Sequence, residues 1–160
     1  MNRFSKNKIL ARDALPAFRE SHRDKKIVFT NGCFDLIHRG HVQLLREARD
    51  RGDMLVVGLN SDSSTRRLKG SLRPLMSEAD RAFVLLNLEA VDYVTLFDED
   101  TPFEVISALE PDVLVKGAEY GAGEIVGEDL VNNRGGTVVR VEMLDGCSTS
   151  GLIEKIKNLP

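Results

Sequence analysis

The fold of this chain is decided by the stretch Phe29-Thr30-Asn31-Gly32-Cys33-Phe34-Asp35-Leu36-Ile37-His38-Arg39-Gly40-His41. It continues the apolar run that starts at Lys26, and such a run predicts a covered strand of a parallel sheet, about 26–30. Asn31-Gly32 predicts the end of that strand. After Gly40, apolar residues spaced three and four apart predict a helix over about 40–51.

Two histidines lie at the predicted start of this helix. His38 and His41 are three positions apart, so they share a face once the first helical turn includes both. Free backbone N–H groups and partial positive charge collect at a helix start, and Gly40 lets a ligand approach the backbone there. The pattern therefore predicts a site for phosphate oxygens. A metal site that adds Cys33 and Asp35 is the alternative, but the spacing matches none of the usual zinc patterns.

Apolar runs alternate with helical patterns along the rest of the chain, which is typical of a parallel α/β sheet. The remaining strands are predicted at about 54–59, 93–96, 113–115 and 137–141. The remaining helices are predicted at about 77–89, 101–110, 126–134 and 148–158, with a polar turn at 60–64. We therefore expect one α/β domain over residues 24–160, preceded by an N-terminal helical segment, 1–23.

Polar residues follow four of the five predicted strands. They are Asn31 to His41, Asn60-Ser61-Asp62, Lys116-Gly117 and Ser148-Thr149. Because ligands of open parallel sheets bind beyond the carboxyl ends of the strands, these groups are expected at one edge.

The densest basic segment lies between the second and third predicted strands. It contains Arg66, Arg67, Lys69, Arg73 and Arg81. We expect Arg66 to be solvated, whereas Lys69 and Arg73 stand beside a Gly or a Pro that fixes the loop and are expected to bind phosphate. Lys116 follows an apolar strand, so it is expected to have an anionic partner.

Composition excludes some classes of protein. Asp and Glu number 25 against 22 Lys and Arg, a net charge of −3, which argues against a nucleic-acid or membrane-surface binder. Two cysteines are too few for a disulfide scaffold. The sequence has no apolar run of membrane-spanning length and no signal peptide, so we predict a cytoplasmic location.

The pattern Gly-Cys-Phe-Asp-x-x-His-x-Gly-His over 32–41 resembles the signature of the cytidylyltransferase-like nucleotidyltransferases. Further stretches resemble the heptose-1-phosphate adenylyltransferases within that family, over about residues 24–157. They are Val57–Asp62, Arg67–Gly70, Arg73-Pro74, Val91–Val94, Asp100–Pro102, Pro111–Gly117, Ile125–Gly127, Gly135-Gly136 and Cys147–Ser150.

The resemblance implies a Rossmann-like, doubly wound domain with a five-stranded parallel sheet. It implies transfer of AMP from ATP to D-glycero-β-D-manno-heptose 1-phosphate, with Mg²⁺ held by the triphosphate rather than by protein side chains. The implied catalytic residues are His38, His41 and Lys116. The implied nucleotide-binding residues are Phe34, Asp35, Gly40, Ser148 and Thr149. The implied residues for phosphate and acceptor are Asn31, Asp62, Lys69, Arg73 and Arg81, and the implied assembly is a homodimer or higher homo-oligomer.

One departure from the family pattern concerns the last helix. Many relatives carry Ile-Ser-x-Thr-x-x-Arg there, whereas this chain has Cys147-Ser148-Thr149-Ser150-Gly151-Leu152-Ile153, with no arginine at the matching place. Two alternatives therefore stay open. One is a related reaction such as that of a glycerol-3-phosphate cytidylyltransferase, and the other is a nucleotide-sensing module without activity.

Overall fold

The structure, a computed structural model, describes residues 8–121, 123–142, 144 and 146–159. Its six strands are all parallel and lie in the order β1-β4-β3-β2-β5-β6. They are β1 Ile9–Leu10, β2 Ile27–Gly32, β3 Met54–Asn60, β4 Tyr93–Phe97, β5 Val113–Gly117 and β6 Thr137–Val141. The helices are α1 Leu15–Ser21, α2 Arg39–Arg49, α3 Asp62–Lys69, α4 Glu78–Leu86, α5 Phe103–Leu109, α6 Glu128–Asn133 and α7 Thr149–Lys157.

Helices cover both faces of the sheet, and each face has its own apolar core. Val28 packs in the core that contains residues of α2 and α4, whereas its neighbour Phe29 packs in the core that contains residues of α1, α5 and α6. Successive strand residues point to opposite faces, so a strand that is covered on both sides must be apolar at every position. This is why the uninterrupted run Ile27–Phe29 is completely buried.

The sheet differs from the sequence expectation in strand number: it has six strands, not five. The additional strand, β1, occupies residues that were expected to be helical, and its two residues pair with Val94 and Thr95 of β4. β2 also runs through Asn31-Gly32, the pair that was expected to end it, because both residues stay paired with β3.

A second difference is α3, which replaces part of the expected polar turn and the loop after it. Ser61 caps this helix by accepting a hydrogen bond from the Ser64 N–H at 3.0 Å. In the described part of the chain, no helix combines the length and apolarity needed to cross a membrane.

Candidate active site

A cavity of about 570 Å³ opens beyond the carboxyl ends of β2, β3 and β5. Ten of the thirteen predicted site residues line it. From the end of β2 and the stretch after it these are Asn31, Phe34, Asp35, His38 and His41. From other elements they are Lys69, Arg73, Lys116, Ser148 and Thr149.

The two histidines begin α2 and stack on each other, with ring centroids 3.9 Å apart. His38 is the N-cap, and its Nδ1 accepts the Gly40 N–H at 3.2 Å. The His38 N–H in turn donates to Nδ1 of His41 at 3.4 Å. Because a backbone N–H can only donate, both Nδ1 atoms act as acceptors, which assigns the proton of each neutral ring to Nε2.

The surroundings of both imidazoles favour the neutral form. Burial lowers the pKa of His38, and burial followed by repulsion from His38 lowers the pKa of His41 to about 4, although the Leu36 carbonyl acts in the opposite direction. Two neutral rings do not repel each other in the empty site, and each offers an N–H donor to a phosphate oxygen.

The ring of Phe34 packs against the ring of His41. Its ring centroid lies 5.2 Å from that of His41, and its own side chain is buried. The Phe34 backbone is left-handed, with φ of 46°, and its ring lies against Gly32, where a Cβ would come within 3.1 Å of it. Gly32 therefore leaves the space that lets the aromatic ring fold back toward the histidine.

The Asp35 carboxylate holds the segment that precedes α4 in place by hydrogen bonds. Its buried carboxylate accepts hydrogen bonds from Nε of Arg73 at 2.6 Å, from the Leu75 N–H at 2.9 Å and from the Met76 N–H at 3.0 Å. Burial raises the pKa of Asp35, but these donors together hold it below the usual value. The residue expected to shape the nucleotide pocket thus also fixes Arg73 at the cavity.

Arg81 was expected to bind phosphate or the acceptor, but its side chain is completely buried and does not line the cavity. The guanidinium donates to the carbonyls of Met76, Cys33 and Asn60, and to the Asp62 carboxylate at 2.8 Å. With its donors engaged inside the protein, Arg81 cannot reach a phosphate in the cavity.

Asp62, the partner of Arg81, is likewise absent from the cavity lining. Gly40 is the third predicted residue that does not line it. Gly40 is buried at the start of α2, where a Cβ would lie 3.1 Å from the His38 ring and 3.2 Å from the Cys147 Cβ. A side chain at position 40 would therefore displace one of these groups.

Lys116 extends from the end of β5. Burial lowers its pKa to about 8, while Glu119 acts in the opposite direction. Its Nζ lies 5.4 Å from the centre of the Tyr120 ring. An ammonium group this weakly paired in a cavity is well suited to an incoming phosphate.

The start of α7 closes another side of the cavity. Ser148 is the N-cap, and its Oγ accepts the Gly151 N–H at 3.0 Å. Thr149 donates through its hydroxyl to the Leu36 carbonyl at 3.3 Å, which ties α7 to the loop that precedes His38.

Asn31 offers a buried acceptor to the cavity. Within the described residues, its Oδ1 has no hydrogen-bond partner. An acceptor left in this way is satisfied by a ligand that carries an O–H or N–H group, which suits a hydroxyl better than a fully ionised phosphate.

The cavity has two principal walls. The first, here the β2–β3 wall, comprises residues 31–41 and 60–81. The second, the β5–β6 wall, comprises residues 116–121 and 123–128 together with Arg140. Sequence reasoning missed five side chains of the second wall that line the cavity: Glu119, Tyr120, Glu124, Ile125 and Val126. The signal that could have found them is their place in the loop after β5, the strand that carries Lys116.

The donor set of the site does not form a protein metal centre. In the ranges that the structure describes, no three or more His, Cys, Asp or Glu side chains are grouped so as to hold a metal ion. The Asp35 carboxylate, the most buried acid of the cavity, is already occupied by Arg73 and two backbone N–H groups.

Comparison with known proteins places this geometry in a family. The family model described as cytidylyltransferase-like matches residues 29–155. Among solved structures, the lipopolysaccharide core biosynthesis protein from Thermoplasma volcanium is 30% identical with a TM-score of 0.64, over 76% of this chain and 99% of that one. A pantoate–β-alanine ligase from Francisella tularensis shares the fold, with 15% identity, a TM-score of 0.64, and coverage of 95% of this chain and 73% of the ligase.

Curated relatives are more similar in sequence. The bifunctional protein HldE of Wolinella succinogenes is 56% identical over 96% of this chain, and that of Citrifermentans bemidjiense is 58% identical over 86%. This chain spans only 32% and 28% of the length of those two proteins. The family model extends from within β2 to within α7, and the chain belongs to the cytidylyltransferase-like family.

Proposed function

We propose that this chain is an adenylyltransferase. It transfers AMP from ATP to D-glycero-β-D-manno-heptose 1-phosphate, giving ADP-heptose and pyrophosphate for lipopolysaccharide heptose biosynthesis. The observation that carries the proposal is the meeting of two kinds of phosphate-binding group in one cavity. The stacked pair His38 and His41 stands at the start of α2, and Lys116 stands at the end of β5.

The relatives narrow the reaction class and the acceptor. Membership of the cytidylyltransferase-like family favours nucleotidyl transfer. The HldE proteins match this chain at 56% and 58% identity, and the structural neighbour from Thermoplasma is described as a lipopolysaccharide core biosynthesis protein. A sugar phosphate of that biosynthesis is therefore the acceptor we favour over glycerol 3-phosphate.

The reaction is one in-line displacement at the α-phosphorus. An oxygen of the sugar phosphate forms a new bond to that phosphorus, and the bond to the oxygen that bridges to the β-phosphorus breaks. Pyrophosphate leaves with the electron pair. No protein nucleophile takes part, so catalysis consists of positioning the two anions and stabilising the charge that develops.

The chain's own residues supply that stabilisation. His38 and His41 donate from Nε2 to phosphate oxygens, and the free backbone N–H groups at the start of α2 add to their field. Lys116 and Arg73 neutralise the acceptor phosphate, with Lys69 beside them. Ser148 and Thr149 contact the leaving phosphates at the start of α7.

Mg²⁺ enters with ATP as the MgATP substrate. Asp100, Glu119 and Glu124 line the cavity and provide the acidic oxygens that a hard cation prefers. When bound, the ion neutralises charge on the triphosphate.

The test is pyrophosphate release measured in a matrix of two nucleotides and three acceptors. ATP and CTP are crossed with heptose 1-phosphate, glycerol 3-phosphate and choline phosphate. We expect the highest kcat/KM with ATP and the heptose phosphate. Turnover only with CTP and glycerol 3-phosphate would replace the proposed acceptor and base, and nucleotide binding without turnover of any pair would favour a sensing module.

A further inference from the structure

Two arginines of the β2–β3 wall use their hydrogen-bond donors in different ways. Arg81 donates from Nε, Nη1 and Nη2 to groups inside the protein. Arg73 donates from Nε alone, to the Asp35 carboxylate at 2.6 Å. Among the described residues, Nη1 and Nη2 of Arg73 have no hydrogen-bond partner, and neither atom is buried. The outer edge of the Arg73 guanidinium is therefore free to bind a ligand.

This free edge belongs to a side chain of the cavity. Arg73 lines the cavity and retains 15% exposure, whereas the Asp35 side chain that holds it retains 1%. Two N–H donors of one guanidinium match two oxygens of a phosphate, and parallel hydrogen bonds of this kind fix the orientation of the anion as well as its position. A lysine ammonium would supply the charge without that orientation. Arg73 therefore has the form of a bidentate phosphate-binding group.

The Asp35 carboxylate fixes both the guanidinium and the backbone next to it. Its Oδ2 accepts the Nε–H of Arg73, while its Oδ1 accepts the Leu75 N–H at 2.9 Å and the Met76 N–H at 3.0 Å. Both oxygens are thus engaged inside the protein, and the side chain is almost completely buried. The carboxylate therefore orients Arg73 without contacting a ligand of its own.

Asp35 also lies in the loop that leads to the two histidines. Only two residues separate it from His38, the N-cap of α2, whose Nδ1 accepts the Gly40 N–H at 3.2 Å. In-line displacement requires the attacking phosphate to be aligned with the α-phosphorus, and small misplacements cost much of the rate. Because Asp35 joins Arg73 to this loop, it sets the guanidinium relative to the histidine pair.

We propose that Asp35 is a positioning residue for the acceptor phosphate. It holds Arg73 through Nε so that Nη1 and Nη2 donate two parallel hydrogen bonds to that phosphate, at a fixed place relative to His38 and His41. Asp35 acts through Arg73, which differs from the nucleotide-binding role that the family resemblance implies for it. The inference rests on the proposed function, because it requires a phosphorylated acceptor that binds at Arg73.

The first test is Asp35→Asn in steady-state kinetics. The amide oxygen of the variant can still accept the Leu75 and Met76 N–H groups, but its NH₂ group then faces the Arg73 Nε–H, and two donors do not bond. The KM of the heptose phosphate should rise about five-fold, with the KM of ATP changed less than about two-fold, because the orientation of Arg73 is lost while its charge remains. Equal increases in the two KM values, or an unchanged acceptor KM, would overturn the proposal.

A matched control is Asp92→Asn. The Asp92 carboxylate also accepts a backbone N–H, that of Leu55 at 2.8 Å, and pairs with an arginine Nε, that of Arg49 at 3.0 Å. This group lies at the start of β3, and none of its members lines the cavity. The control should leave both KM values unchanged. An acceptor-specific increase as large as that of Asp35→Asn would contradict the positioning role.

Arg73→Lys tests the same contact from the arginine and leaves the buried carboxylate in place. The positive charge stays, but Nε and the paired Nη donors are lost, so the acceptor KM should rise about five-fold. Adding Asp35→Asn should raise it no further, because Asp35 acts only through Arg73. A normal acceptor KM in Arg73→Lys, or multiplication of the two effects in the double variant, would overturn the proposal.

The second test needs no substrate and follows the Nε–H of Arg73 by ¹⁵N NMR. The signal is assigned by its absence in Arg73→Lys, and its exchange with water is measured at mildly acidic pH. Asp35→Asn should accelerate this exchange because the acceptor of the hydrogen bond is lost, whereas Asp92→Asn should not change it. An unchanged exchange rate in Asp35→Asn would overturn the positioning role.

The two tests separate this inference from the proposed function. Absence of wild-type turnover with every acceptor would defeat the proposed function and, with it, the positioning role, whatever the NMR result. Normal wild-type turnover combined with an unchanged acceptor KM in Asp35→Asn would leave the proposed function standing and defeat only the role of Asp35.

Discussion

The two walls of the cavity are held in different ways. In the β2–β3 wall, each connecting ion pair has one fully buried member: the Arg81 side chain, paired with Asp62, is 0% exposed, and the Asp35 side chain, paired with Arg73, is 1% exposed. In the β5–β6 wall, the connecting pair of Arg140 and Glu128 keeps 30% and 17% exposure. Buried ionic groups that lose a partner destabilise the whole fold, whereas partly exposed pairs act more locally. The comparison indicates that loss of an ion pair should affect stability more in the β2–β3 wall than in the β5–β6 wall.

The most direct way to break this comparison is Arg81→Met. The change leaves three carbonyls and the Asp62 carboxylate without their donor, so we expect the free energy of unfolding to fall by about 3–5 kcal/mol. Urea denaturation measures it. Arg66→Met, an exposed arginine of α3, is the control and should change stability by less than about 0.5 kcal/mol. Equal midpoints for the two variants would show that the buried network does not hold the wall.

His41→Ala tests the chemical part of the same wall. Loss of one preorganised donor should reduce kcat by about 10²–10³-fold. Affinity for ATP, measured by calorimetry, should fall far less, because the donor matters most where charge develops. His22→Ala changes a histidine at the end of α1, outside the cavity lining, and should leave kcat unaffected. A normal kcat in His41→Ala would remove this residue from the mechanism.

Arg73→Ala tests which of the two substrates this side chain binds. Arg73 belongs to the β2–β3 wall, but its side chain retains 15% exposure and lines the cavity. We expect the KM of the acceptor to rise about ten-fold and more than that of ATP, as for loss of a charge-assisted hydrogen bond. Initial rates at varied concentrations of each substrate measure both constants. The reverse ranking would assign Arg73 to the triphosphate.

The pH dependence of Lys116 gives the smallest effect. Its pKa of about 8 means that the ammonium loses its proton as the pH rises through 8, so kcat/KM for the acceptor should decline above that pH. The bound phosphate stabilises the cation, so the corresponding decline in kcat should begin at higher pH. In Lys116→Arg the alkaline decline should move out of the range studied. A profile that stays flat to pH 10 in the wild-type chain would contradict the role of Lys116.

The strands that form the cavity edge were predictable because each is a continuous apolar run. β2, β3 and β5 are buried on both faces, and their composition reflects that burial. The convergence of Asn31, Lys116 and Ser148 on one cavity followed from parallel direction alone. β1 could not be predicted, since two residues carry no periodicity and their pairing depends on β4, more than 80 positions away.

The error at α3 has a local cause. Its sequence, Asp62–Lys69, contains one large apolar residue, Leu68, and that side chain is 48% exposed. A repeat of large apolar residues is therefore absent, and the helix relies on the Ser61 cap and on Ser64 and Thr65, which are buried. Polar residues of this kind predict turns at least as strongly as helices.

The burial of Arg81 could not be predicted for a different reason. Its burial depends on carbonyl groups contributed by Cys33, Asn60 and Met76, which lie on three separate segments. Backbone acceptors have no sequence signature, so nothing in the sequence opposed the phosphate-binding role that the resemblance implied for Arg81. The same applies to the β5–β6 wall, where Arg140 donates to the carbonyls of Tyr120 and Gly121.

β1 has a consequence that lies far from any ligand. Ile9 and Leu10 shield one side of β4, which would otherwise be the outermost strand with unpaired backbone donors and acceptors. A fragment that begins at residue 24 keeps every side chain that lines the cavity. It would nevertheless expose the unpaired edge of β4, and strands of other molecules can pair with such an edge. Such trimming would also remove Leu15 and Phe18 of α1 from the core, so we expect the fragment to be less stable and to aggregate.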